Sequence, residues 1–199
     1  MRNLIMWVII LFVGMTSCAV NECDPLEQTD NIDALASFGA KELADNKIIS
    51  TLALDELPGM SASEVSVILS NIQKHSQSEK HYMVEENDHD GFCDVDILMD
   101  ETINHKYTFT IRLHMERNNN SGVMYYKGFE ADCTSNQFEW YIKGFSFSSD
   151  NLTGNNKFES PSYLYFKVLN EGVTFIQVPI LVKGTYSPTD NKADFTYSF

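Results

Sequence analysis

The sequence predicts an α+β fold with two N-terminal helices packed on a large antiparallel β-sheet. Apolar residues recur at helical spacing before residue 75 and at every second position after residue 81. The later apolar stretches are joined by short polar turns, which favours antiparallel neighbours. A load of 13 Phe and 9 Tyr leans the same way, because aromatic side chains suit a pleated surface. A β-sandwich with accessory helices is the alternative architecture.

Residues 1–19 read as a signal peptide. Met1, Arg2 and Asn3 start it, 4–13 is continuously apolar, and smaller residues follow from Gly14 to Ala19. A bilayer span needs roughly 17 to 25 apolar residues, so no transmembrane span is expected after processing. Cleavage after Ala19 places Ser17 and Ala19 at the small-residue positions. Met15-Thr16-Ser17-Cys18 resembles a bacterial lipobox, which would make Cys18 a lipidation site. The expected location is secreted or extracytoplasmic, or lipid-anchored at Cys18. Residues 20–30, polar and acidic around Pro25, read as a linker, and 31–199 as a single α+β domain.

Asp30 or Asn31 can cap a first helix carrying Ile32, Leu35, Ala36, Gly39, Ala40 and Leu43, ending at Asn46. Residues 48–54 suggest a strand or extended connector, and Leu57-Pro58-Gly59 a turn. Ser61-Ala62-Ser63-Glu64 fits a capping box, with Val65, Ile68, Leu69 and Ile72 as one apolar stripe ending near His75. Strands are expected over 81–85, 92–99, 106–116, 122–132, 137–147, 162–169, 172–182 and 193–199. The third is the clearest: Tyr107, Phe109, Ile111, Leu113 and Met115 point one way and polar residues the other. Asn118 to Gly122 and Asn170-Glu171-Gly172 read as hairpin turns.

Charge divides unevenly. Residues 20–105 hold 19 acidic and 4 basic residues, whereas 106–199 hold 9 of each. An acidic field repels phosphate backbones, so nucleic acid is not an expected partner. A protein or a small apolar ligand is. Of the four cysteines, Cys93 and Cys133 are the most economical disulfide pair, with Cys18 and Cys23 near the leader. Asn119 and Asn151 head Asn-x-Ser/Thr triplets in predicted turns and are candidate glycosylation sites.

Alternating carboxylates over 85–96 suggest hard-oxygen cation chemistry, with Glu86, Asp88, Asp90 and Asp94 as candidate calcium ligands. Ile97 stands where an EF-hand needs a bidentate glutamate, which rejects that motif. His89 beside Asp88 and Asp90 would serve a metal-assisted hydrolase if a cleft gathered them. No nucleophile elbow, phosphate loop or dinucleotide fingerprint occurs, and no catalytic residue is assigned. The aromatic-rich stretch suggests an apolar groove lined by Tyr125, Phe138, Trp140 and Ile142. Together these features favour a secreted or cell-surface, non-catalytic binding protein. An extracytoplasmic metal-assisted hydrolase and a structural or assembly component are the alternatives.

Overall fold

Short-range chemistry sets the first elements. The computed structural model describes residues 32–75, 81–149, 155–190 and 192–199. The leader, Cys18, Cys23, the acidic linker and Asn151 lie outside these residues. A 3-10 helix, Ile32–Phe38, is followed by β1 (Lys41–Glu42), α1 (Asn46–Thr51), a 3-10 turn at Leu54–Glu56, β2 (Gly59–Met60) and α2 (Ala62–His75).

The first expected helix is therefore corrected. Gly39, at φ +71°, stops the 3-10 turn, and its N–H donates to the Ala36 carbonyl at 2.9 Å. Glycine adopts this left-handed conformation without the steric cost a side chain would add. The chain then pairs with a distant strand as β1. Where an extended connector was expected, α1 forms, because the Asp45 carboxylate accepts from the N–H groups of Lys47 at 2.9 Å and Ile48 at 3.4 Å.

α2 follows its sequence signal. Glu64 accepts from the Ser61 N–H at 2.8 Å, and the Ser61 hydroxyl accepts from the Glu64 N–H at 3.2 Å. Val65, Ile68, Leu69 and Ile72 are buried.

The remaining chain is strand: β3 (His81–His89), β4 (Phe92–Ile103), β5 (Tyr107–Asn118), β6 (Met124–Cys133), β7 (Glu139–Ile142), β8 (Ser146–Ser149), β9 (Asn156–Leu169), β10 (Val173–Ser187) and β11 (Lys192–Ser198). They form two sheets. β3-β4-β5-β6 is a four-stranded meander. The larger sheet is built on the β9–β10 hairpin, with β11 and β1 beside β10, and β7, β8 and β2 beside β9. Every pairing is antiparallel except the two-residue β2 beside β9.

The inner faces of both sheets share one core with α2. From the smaller sheet come Val95, Ile97, Met99, Phe109, Ile111 and Leu113; from the larger, Phe158, Phe166, Val178, Ile180 and Val182. Phe109 joins them directly, its ring 4.9 Å from Trp140 and 5.0 Å from Tyr197. Two sheets packed face to face, with α2 against the core, match the β-sandwich alternative better than one helix-covered sheet.

Two irregularities shape one side of this sandwich. The strand expected over 137–147 breaks into β7 and β8. Opposite the break lies Pro161, which has no N–H for the ladder. Its carbonyl instead accepts from both Lys143 N–H, at 3.0 Å, and Gly144 N–H, at 3.3 Å. In β6 the register shifts between His114 and Met115, leaving Lys127 without a partner across the ladder. The extra residue turns Tyr126 and Phe129 to the same face. Their rings meet Phe145 at 4.8 and 4.2 Å, so the edges of β6 and β8 close over a stack of aromatic rings.

Candidate functional site

The expected aromatic groove is core. Phe138 is 1% exposed and Trp140 7%. Trp140 packs against Phe109, and its indole N–H donates to the Ser162 hydroxyl at 3.0 Å, which donates onward to the Ile180 carbonyl at 3.1 Å. Ile142 is half-buried against the same core. Tyr125 is exposed and stands opposite Glu116, away from the other three. The four residues thus line no common groove. The rings that the alternation assigns to a groove fill the space between sheets, because both faces of β7 carry aromatic residues and the inner one is covered.

The opposite face of the same strands carries a cleft. Glu139 and Tyr141 of β7 stand beside Tyr165 and Tyr163 of β9 on the outer surface of the larger sheet. There α1 and the Leu54–Glu56 turn cover part of the sheet through a second, smaller core of Leu43, Leu54 and Tyr165, with Ile48, Ile49 and Leu52 packed on it. Two bonds hold this cover: Leu43 N–H donates to the Phe175 carbonyl at 2.8 Å, and the Lys167 ammonium to the Asp55 carbonyl at 2.6 Å. The cover stops short of Tyr141. The gap is a cleft of about 300 Å³ lined by Lys47, Ile48, Thr51, Leu52, Tyr141 and Tyr165.

The cleft has an apolar body and a few polar tips, the usual makeup of a small-molecule site. Tyr141 and Tyr165 lie 6.3 Å apart with planes at 60°, and Tyr163 lies 6.1 Å beyond. Burial, then the neighbouring Tyr163 and Tyr141 phenols, push the Tyr165 phenol up, so it stays a neutral hydroxyl. The Lys143 ammonium donates to the Tyr163 hydroxyl at 3.3 Å. Lys47 is the charged residue among the lining groups. Such a cleft suits a ligand with an apolar or aromatic body and one acceptor group.

The acidic segment forms the β3–β4 hairpin. Asp90 and Gly91, both at positive φ, make its two-residue turn. The pleat separates the expected calcium ligands. Glu86 and Asp88 lie opposite the inward-facing Val95 and Cys93, whereas Asp94 is opposite Asn87 on the outer face. Glu86 receives both arms of the Arg117 guanidinium, at 2.9 and 3.2 Å, which raises that guanidinium's pKa. Asp88 accepts from the Asn119 amide at 3.2 Å. Asp94 instead meets His89, Nε2 to Oδ2 at 3.2 Å, on an exposed sheet face. Glu86, Asp88, Asp90 and Asp94 therefore do not converge on one ion.

Residues 24–199 match the family described as a domain of unknown function, DUF5033. The chain belongs to that family. No curated protein matches the chain, and no solved structure does.

In this DUF5033 domain Cys93 and Cys133 are free thiols, which overturns the expected disulfide. The register gives the reason. Cys93 stands opposite Arg117 and Cys133 opposite Phe109, eight positions apart on β5. At about 3.3 Å per residue that is roughly 26 Å, whereas a disulfide needs Cα atoms about 4.4 to 6.8 Å apart. Burial raises both thiol pKa values; Asp88 adds to the effect on Cys93, and Asp132 to that on Cys133. Asn119 lies in an exposed turn, but its amide donates to Asp88 and to the Phe92 carbonyl at 3.3 Å. A glycan replaces one amide hydrogen, so it would remove one of these bonds. Sequence reasoning missed Tyr141 and Tyr165. Their aromatic character is the signal that was available, since each alternates with a residue that proved to be core.

Proposed function

We propose that this chain is a secreted or cell-surface, non-catalytic binding protein that holds a small amphipathic ligand in the tyrosine-walled cleft beside α1. The observation that carries the reading is the cleft of about 300 Å³, with an apolar floor and lysine at its edge. Its size is at the small end of ligand sites, roughly 300 to 1,000 Å³. The apolar leader, with cleavage after Ala19 or lipidation at Cys18, supports placement outside the cytoplasm. Among the described residues, no helix is long and apolar enough to cross a membrane. The hydrolase alternative needs His89 and Asp94 within a cleft; they meet at 3.2 Å on a sheet face where their side chains are 41% and 52% exposed.

The test uses anilinonaphthalene sulfonate, an aromatic anion whose emission rises in apolar sites. Saturable binding is expected for the native chain. Tyr141→Ala removes the open wall and should weaken binding about tenfold, equivalent to about 1.4 kcal/mol. Tyr125→Ala, on the other sheet, should leave it unchanged. Equal binding by the native chain and Tyr141→Ala would rule out the cleft.

A further inference from the structure

We propose that the outer face of the four-stranded sheet carries a site for a divalent transition-metal ion of the zinc class, held by His89, Asp94 and Glu116. The proposal is independent of the tyrosine cleft, which lies on the other sheet.

Three adjacent strands present the ligands. Asp94 of β4 stands directly opposite Glu116 of β5, and His89 of β3 reaches Asp94 from the neighbouring strand. One ligand atom from each residue lies within 4.8 Å of the other two. A tight turn and a ring contact position the histidine. The Asp90-Gly91 turn joins β3 directly to β4, and the His89 ring stacks on Phe92 at 6.4 Å and 27°. The Glu116 side chain is only 18% exposed, so it enters from the base of the site, while His89 and Asp94 close from above.

Directly opposed carboxylates are unfavourable across a sheet unless a cation sits between them. Here the Lys127 ammonium supplies one, 3.1 Å from Glu116. Lys127 is the bulged residue of β6, outside the ladder, so its long side chain can swing away without breaking strand pairing. A metal ion would take its place at Glu116.

The donor set selects the ion. Imidazole nitrogen with two carboxylate oxygens suits zinc and its transition-metal neighbours, whereas calcium and magnesium prefer all-oxygen cages. Bonds of about 2.0 to 2.2 Å require the three donors to close by rotation of their side chains. Three protein ligands leave the remaining positions for water. The neighbouring His114 lies outside this group: its Nδ1 is 2.5 Å from Asp96 and its Nε2 3.8 Å from Glu130.

Calorimetric titration of the full chain with Zn²⁺ tests this, alongside the absorption spectrum of the Co²⁺ complex. One ion is expected to bind, with d–d bands and no sulfur-to-metal charge-transfer band. His89→Ala should weaken binding at least tenfold, His114→Ala should not change it, and Lys127→Gln should tighten it by removing the competing ammonium. Circular dichroism of each variant checks that the sheet is retained. The proposal is overturned if His89→Ala binds as the native chain does, if Ca²⁺ competes equally with Zn²⁺, or if the Co²⁺ complex shows thiolate ligation. In each of those cases dye binding to the cleft would stand unaffected.

Discussion

Gly184 is the position where a single methyl group should do most damage. It lies on β10 directly opposite Phe158 of β9 and Phe195 of β11. A Cβ there would stand 2.0 Å from Phe158 Cζ, 2.2 Å from Cε1 and 2.7 Å from the Asp194 carbonyl oxygen. Ordinary contact is about 3.5 to 4.0 Å, so the ring must retreat by roughly 1.5 Å. It has little room to do so: Phe158 is 2% exposed, and Phe129 and Phe145 each hold it at 6.1 Å. Overpacking of this kind costs about 1 to 3 kcal/mol, and contact with both a ring and a backbone oxygen places Gly184→Ala at the upper end. Against this, alanine restricts the unfolded chain more than glycine, which returns about 0.4 to 1 kcal/mol. The net loss is about 2 kcal/mol. Urea unfolding followed by emission of the buried Trp140 should show it as a midpoint lowered by about 1 M at unchanged slope. Phe158→Leu removes the two clashing ring atoms and leaves the Asp194 oxygen contact, so Gly184→Ala in that background should cost less. An unchanged midpoint for Gly184→Ala, or the same cost in both backgrounds, would refute the steric reasoning.

Two further outcomes follow from buried ionisable groups. Burial is the main cause that raises the Tyr107 phenol to about 12, and also raises the Tyr186 and Tyr197 phenols. A phenol with a higher pKa folded than unfolded leaves stability intact below pH about 10 and withdraws it as the pH rises toward 12, by about 3 kcal/mol for Tyr107. The raised Cys93 and Cys133 thiols withdraw stability in the same way from about pH 9, so phenolate absorbance and urea midpoints measured together should show stability falling from pH 9 and more steeply above pH 10; constant stability to pH 12 would contradict this. Cys93 and Cys133, with raised thiol pKa values, should resist iodoacetamide at pH 8 in the folded protein and react in denaturant. Rapid alkylation of the native chain would show that these thiols are not as desolvated as their surroundings imply.

Legibility in the sequence followed the range of the interaction. The capping box of α2 is a contact between residues three apart, and its bonds form where Ser61 and Glu64 predict. The alternation of β5 survives intact, because Tyr107 to Met115 carry their own contrast between apolar and polar faces. Where a strand is aromatic on both faces, alternation names two sets and chooses neither. Trp140 and Tyr141 are neighbours of this kind. The first became core because the smaller sheet covers it, and the second a cleft wall because α1 stops short of it.

Tertiary pairing also decided what no spacing rule contains. The bulge at Lys127 depends on the partner strand, yet it sets which rings share a face with Phe129. The break between β7 and β8 depends on which strand segment lies opposite Pro161. The expected Cys93–Cys133 bridge was plausible along the chain and impossible across the sheet, because register places the thiols at opposite ends of β5. Patterning, caps and turns are chosen by neighbours in sequence and so can be read there. The faces that become covered, the carboxylates that meet and the surface left as a site are chosen by strands far apart in sequence, and only their pairing reveals them.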